Sequence, residues 1–224
     1  MRLPPVGQLP NLKYLRIEGA TAITKIGPEF VGCGVGNLGP TEAVAFPKLE
    51  GLVIEYMPNW EEWSFVEEEE EEEAEAAAAS KKNGEALSPM SWLLPCLEKL
   101  QLFYCPKLRA LPRQLGQQTT SLKELLIKRA SCLKTVEDLR FLSGDLSVYG
   151  CEDLEIVSNL PQVRELYVGG CPNLRRVEEL GSLEQLWLHE DMQQISSLWA
   201  PGLQEQRHQL HGDELEVNEW LRSS

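Results

Sequence analysis

Six cysteines, three histidines and 35 acidic side chains are the groups of this 224-residue chain best suited to chemistry, and their spacing limits what they can do. The cysteines, at 33, 96, 105, 132, 151 and 171, stand singly with no C-x-x-C pair. The opening Met1-Arg2-Leu3-Pro4-Pro5 has no apolar run of the length a secretory signal needs, so a reducing compartment and free thiols are expected. Of the histidines, His208 and His211 lie three apart near the end without cysteines at zinc spacing, and His189 stands alone. Seven consecutive glutamates, Glu67 to Glu73, repel one another and bury nothing. Such a polycarboxylate holds divalent ions weakly and without fixed geometry, so no resident metal is expected, and 67 to about 82 is expected to be disordered or a fraying helix through Ala74 to Ala79. No G-x-S-x-G elbow occurs, and no carboxylate pair has an opposed partner assignable from spacing. The chain also contains no G-x-x-x-x-G-K-[ST] phosphate loop. The expectation is a protein that is not an enzyme, with no catalytic residues, no cofactor and no small-molecule ligand.

Charge narrows the partners. The formal net charge is −14, of which eight negative charges belong to Glu67–Glu73 and Glu75, leaving −6 over the rest. A nucleic-acid binder needs a basic stripe to displace phosphate counterions, and no segment supplies one, so no nucleic acid is expected. No stretch approaches the ~20 apolar residues of a membrane span, and a cytoplasmic protein is expected.

The elements that must position any functional group come from an internal repeat. An L-x-x-L-x-[LIV] core recurs at Leu12-Leu15-Ile17, Leu49-Leu52-Ile54, Leu97-Leu100-Leu102, Leu122-Leu125-Ile127, Val163-Leu166-Val168 and Leu183-Leu186-Leu188. A weaker copy, Ser143-Leu146-Val148, lacks its first apolar residue. Successive middle leucines lie 37, 48, 25, 21, 20 and 20 residues apart. Six and nine residues after each strand come further apolar pairs, from Ile23 and Ile26 and Trp60 and Trp63 through Leu154 and Val157 to Leu174 and Val177. Only the last repeat slips, offering Ile195 and Leu198 one position late. Alternation within L-x-L is a short parallel strand with inward leucines, and the later pair closes the coil on its other side. Three residues past each strand, Ala20, Met57, Cys105, Ala130, Cys151, Cys171 and Asp191 occupy the turn. Cys105, Cys151 and Cys171 are therefore expected as buried turn residues and not as metal or redox groups.

This pattern predicts an α/β leucine-rich-repeat solenoid, a horseshoe of about seven repeats with a parallel sheet on its concave face and irregular or short helical convex segments. Residues 1–199 form the repeat domain, with insertions at 27–45 and 61–92 rich in Gly and Pro and in Glu, Ala, Ser and Lys respectively. Residues 200–224 are expected to cap the array as a helix carrying Leu203, Leu210, Leu215, Val217, Trp220 and Leu221. At the other end Leu3, Pro4 and Val6 look like the closing half of a preceding repeat, so the core is expected to be open there.

Outward strand residues form a ladder: Arg16 and Glu18, Val53 and Glu55, Gln101 and Phe103, Leu126 and Lys128, Ser147 and Tyr149, Tyr167 and Gly169, Trp187 and His189. Its second half is aromatic. Phe103, Tyr149, Tyr167, Trp187 and His189 are the candidate protein-binding residues, since exposed aromatics dominate interface hot spots. The competing reading is that these rings only pack against one another, an upstream domain or the terminal cap.

Several segments carry a family likeness. Leu3-Pro4-Pro5-Val6-Gly7-Gln8-Leu9-Pro10-Asn11-Leu12-Lys13-Tyr14-Leu15, Phe46-Pro47-Lys48-Leu49-Glu50, Met57-Pro58-Asn59-Trp60-Glu61-Glu62-Trp63 and Cys105-Pro106-Lys107-Leu108-Arg109-Ala110-Leu111-Pro112 closely resemble the C-terminal repeats of plant intracellular nucleotide-binding leucine-rich-repeat (NB-ARC-LRR) immune receptors. The ending Leu198-Trp199-Ala200-Pro201-Gly202-Leu203 looks like cereal members. The resemblance implies repeats that recognise a pathogen effector or a guarded host protein, and that hold a nucleotide-binding switch inactive in the defence response. Lacking the phosphate loop and the switch, the chain is expected to be either the recognition tail of a longer receptor or a stand-alone adaptor or decoy without signalling activity. A ubiquitin-ligase substrate receptor built on such repeats needs an F-box that this chain lacks.

Overall fold

Alternation of apolar and polar residues converts each L-x-L core into a five-residue strand with one face buried. In the computed structural model, which describes residues 3–32, 44–65 and 93–220, these strands are β1 (Tyr14–Glu18), β3 (Gly51–Glu55), β5 (Lys99–Phe103), β6 (Glu124–Lys128), β8 (Asp145–Tyr149), β10 (Glu165–Gly169) and β12 (Gln185–His189). They lie side by side, all parallel, in chain order, and an eighth strand, β13 (Glu216–Trp220), closes the sheet beside β12. The register aligns equivalent residues: Leu15, Leu52, Leu100, Leu125, Leu146, Leu166 and Leu186 face one another rung by rung. From Leu52 onward every member of that row is at most 1% exposed. At the β1 edge Leu12, Leu15 and Ile17 are only partly covered.

The return runs form their own parallel pairs. β2 (Lys25–Ile26) pairs with β4 (Glu62–Trp63), and β7 (Thr135–Glu137), β9 (Ile156–Ser158) and β11 (Arg176–Glu178) make a three-stranded sheet. From β6 to β12 the chain therefore passes alternately between two parallel sheets, with Leu133, Val136, Leu154, Val157 and Leu174 buried between them. This parallel α/β arrangement with few helices is compatible with a leucine-rich-repeat solenoid.

Five local expectations are corrected. The return segments, expected irregular or helical, are short strands from 135 to 178, because Val136, Val157 and Val177 repeat at one register and β-branched residues suit a pleat. The fifth unit does have its first apolar residue: Leu142, 1% exposed, accepts the role one position early, and Gly144 absorbs the extra residue. Gly144 must be small, since a Cβ there would lie 2.4 Å from the Lys123 carbonyl oxygen. In the last unit Met192 and Trp199 fill the core, Ile195 packs against it only partly buried, and Leu198 is 64% exposed. Trp199 donates its indole N–H to the Leu174 carbonyl at 3.0 Å, which anchors the end of the array.

The segments assigned to insertions begin inside the fold. Residues 28–31 form a 3-10 turn that buries Phe30 and Val31, and Trp63 and Phe65 are also buried. The acidic run and the rest of 66–92 lie outside the described residues, as does Leu221. The fifth correction concerns the terminal segment, which is a helix only in part. Short helices α1 (Gln114–Gln118) and α2 (Gln193–Ser196) precede the terminal helix α3 (Ala200–His211), which carries Pro201 in its first turn and stops where Gly212, at φ 75, donates to the His208 carbonyl. Beyond it the chain straightens into β13, because Glu216–Trp220 finds an unpaired strand edge on β12.

Candidate protein-binding site

The outward face of the big sheet gathers four of the five candidate residues. Tyr167 and Trp187 occupy the same rung of neighbouring strands, and their rings stack with centroids 5.7 Å apart and planes 8° apart. Each ring is held by the residue two positions before it, which shares its face of the strand. The Tyr167 hydroxyl donates to Glu165 Oε2 at 2.6 Å, and Trp187 Nε1 donates to Gln185 Oε1 at 3.2 Å. The bond to Glu165, aided by burial, pushes the Tyr167 phenol up to about 12. Desolvation raises Tyr149 as well.

One rung further along, Tyr149 and His189 flank Gly169. A Cβ at Gly169 would lie 2.8 Å from His189 Cβ and 3.4 Å from Tyr149 Cδ1, so the missing side chain lets the two rings converge. His189 Nδ1 lies 3.1 Å from Asp191 Oδ1. Trp220, at the end of β13, covers the gap. Its ring meets Tyr149 edge-on at 5.6 Å, His189 edge-on at 5.8 Å and Tyr167 at 6.2 Å. The result is a five-ring surface, each ring half-buried, resting on three consecutive strands and closed by a fourth.

Phe103 is not part of it. It sits on β5, separated from Tyr149 by Lys128 of β6, and among the described residues it makes no ring contact. Its selection from sequence followed register alone, and the intervening lysine breaks the patch. Trp220, by contrast, escaped the sequence reading because it was assigned to a helix.

A second aromatic group lies along the turns that follow the strands. Tyr56 and Tyr104 stack at 4.9 Å and 10°, and the Arg129 guanidinium lies 4.8 Å from the Tyr104 centroid. A cavity of about 670 Å³ runs along them. The sequence did carry a signal for this ledge: Gly19, Gly150 and Gly170 hold the equivalent position in other units, with φ of 63 to 66, which marks it as a left-handed turn that projects its side chain outward.

The turn cysteines behave as small packed residues. Cys105 Sγ donates to the Phe103 carbonyl at 3.4 Å and Cys171 Sγ to the Gly169 carbonyl at 3.4 Å, two residues back in each case. Burial pushes the Cys105 thiol up to about 12, and contact with Cys151 together with burial raises Cys171 further. Neutral, buried thiols such as Cys105 and Cys171 are poor nucleophiles and poor ligands, while Cys151, lowered by its hydrogen bond with Cys171, is equally buried. Among the described residues no three His, Cys, Asp or Glu side chains converge as a metal site, and no helix is long and apolar enough to cross a membrane.

No protein-family model matches the chain. Over 107 residues, 48% of its length, it is 36% identical to a disease resistance protein of Arabidopsis thaliana. Over 195 residues, 82% of its length, it is 28% identical to the disease resistance RPP13-like protein 1 of the same plant. The matched stretches amount to 6% and 18% of those relatives, so the chain corresponds to a small portion of each. Across most of its length, then, this chain is similar to plant disease resistance proteins.

Proposed function

We propose that the chain is a leucine-rich-repeat region of about seven repeats, related to plant immune receptors, that acts in the cytoplasm by binding protein and not by catalysis. Its partner on this reading is a pathogen effector, a host protein that an effector modifies, or a nucleotide-binding switch domain that the repeats hold inactive. The single observation that carries the reading is the five-ring surface of Tyr149, Tyr167, Trp187, His189 and Trp220. Half-buried aromatics held rigidly on a sheet offer large contact area at little entropic cost, which is the chemistry of an interface hot spot. Similarity to disease resistance proteins over 82% of the chain supports the immune setting.

The test compares the wild-type chain, fused to a promiscuous biotin ligase in leaf cells, with a Tyr167→Ala, Trp187→Ala double variant. The expected result is a set of labelled proteins that the variant loses while it still melts cooperatively. Identical labelling by both proteins would remove the sheet face as the binding surface.

A further inference from the structure

The turn ledge goes beyond the sheet-face reading and rests on different residues. Directly after their strands, Gly19, Tyr56, Tyr104, Arg129 and Gly150 all adopt left-handed backbone, with φ between 53 and 66. Glycine enters that region freely, whereas Tyr and Arg are strained in it. Three bulky side chains thus hold a glycine conformation, and burial does not account for it, since Tyr56 is 49% exposed.

What the strain achieves is a column. Left-handed residues in register on parallel strands project side by side, giving Tyr56 stacked on Tyr104 and the Arg129 guanidinium over the Tyr104 ring. At one end of the column stands Gly19, where an added Cβ would meet nothing within 4 Å. The row beside Tyr56 is therefore empty, and the cavity of about 670 Å³ extends over it with Pro58 and Pro106 along its floor. The stack is missing a planar member at that position. At the other end charge is available. Arg129 has no carboxylate partner among the described residues, whereas Arg16, three strands away, is paired with Glu18 and Glu55. Glu152 is the cavity's one acidic lining residue.

We propose that this ledge binds an exposed segment of a partner protein that carries an aromatic side chain and, about four residues away, a carboxylate. The ring stacks on Tyr56 over Gly19, and the carboxylate pairs with Arg129. The separation follows from geometry: Gly19 and Arg129 are three strands apart, roughly 14 Å at ~4.8 Å per strand, which an extended chain covers in about four residues at ~3.3 Å each. A nucleobase would stack equally well, but its phosphates would approach a chain of net charge −14.

The experiment uses the full chain with ring-labelled tyrosine, whose five residues give five resolvable signals. The probe is the blocked peptide Gly-Trp-Gly-Ser-Gly-Glu-Gly, titrated to millimolar concentration. The expected result is a ring-current shift largest at Tyr56, smaller at Tyr104 and absent at Tyr149 and Tyr167. Replacing the peptide's Glu by Lys is expected to weaken binding about ten-fold. Gly19→Asn, which tolerates left-handed backbone and fills the empty row, is expected to abolish the shift with the other four tyrosine signals unchanged. The proposal is overturned by the absence of any shift, by a shift that survives Gly19→Asn or is indifferent to the peptide's charge, or by an equal response to an oligo-dT octamer. A response at Tyr149 and Tyr167 alone would also overturn it, and would leave the sheet-face reading standing.

Discussion

The two aromatic surfaces of this molecule are built by opposite backbone strategies. On the sheet face the rings follow the ordinary period of two along a strand, so Tyr167 and Trp187 are brought together by register and need no special conformation. On the turn ledge Tyr56, Tyr104 and Arg129 sit where other units place glycine, and their alignment is held by strained turns. The sheet-face cluster is also closed by a distant part of the chain, through Trp220, while the ledge ends in an open row at Gly19. A surface whose rings satisfy one another is preorganised. A surface with a vacancy is incomplete until something fills it.

Stacked units touch mainly their neighbours, so damage should stay local, and that separates the two surfaces experimentally. The largest effect is expected from Leu166→Ala, beneath the sheet-face cluster. Losing a fully buried leucine is expected to cost about 2–5 kcal/mol in denaturant unfolding, with hydrogen exchange quickening around Tyr149 to His189 more than around Tyr56. Equal quickening at both places would show that the two surfaces belong to one cooperative unit.

A smaller loss is expected from Trp220→Ala. Its three ring contacts, at roughly 0.5–1.5 kcal/mol each and not fully additive, imply about 2 kcal/mol, together with greater solvent access at Tyr149. Unchanged stability would mean that β13 is held by its backbone pairing alone.

The smallest effect concerns titration. Tyr167 is pushed up to about 12 by its bond to Glu165, while an unfolded tyrosine ionises near 10. Because the raised value favours the neutral phenol in the folded state, this contribution is complete below about pH 10 and is lost as pH rises toward 12. Ultraviolet titration is expected to show a last-ionising tyrosine, near 12, that moves back toward 10 in Glu165→Gln while the raised Tyr149 does not. A group still ionising near 12 in that variant would place the cause elsewhere.

The strand positions could be read from the sequence because each is marked three times, by Leu, Leu and a third apolar residue at fixed spacing. Tyr149, Tyr167, Trp187 and His189 followed directly from them. Trp220 did not, because Glu216–Trp220 has no inward leucine and follows Leu203, Leu210 and Pro201, whose spacing is helical; only the unpaired edge of β12 makes it a strand. The ledge was hidden for another reason. Residue type does not reveal left-handed backbone at Tyr56, Tyr104 and Arg129, although Gly19, Gly150 and Gly170 in the same register announce it. Leu142 was missed because a one-residue offset absorbed by Gly144 falls outside a fixed spacing.

The last strand also bears on solubility. Among the described residues β13 is the outermost strand of the sheet, and an exposed edge of a parallel stack is a template on which another chain's strand can grow. Glu216 and Glu219 lie on that strand, accepting hydrogen bonds from Gln185 at 3.1 Å and Gln193 at 3.2 Å. A second copy docking there through its own β13 would bring its carboxylates against these two, so the strand that completes the aromatic surface also discourages two such edges from pairing with each other.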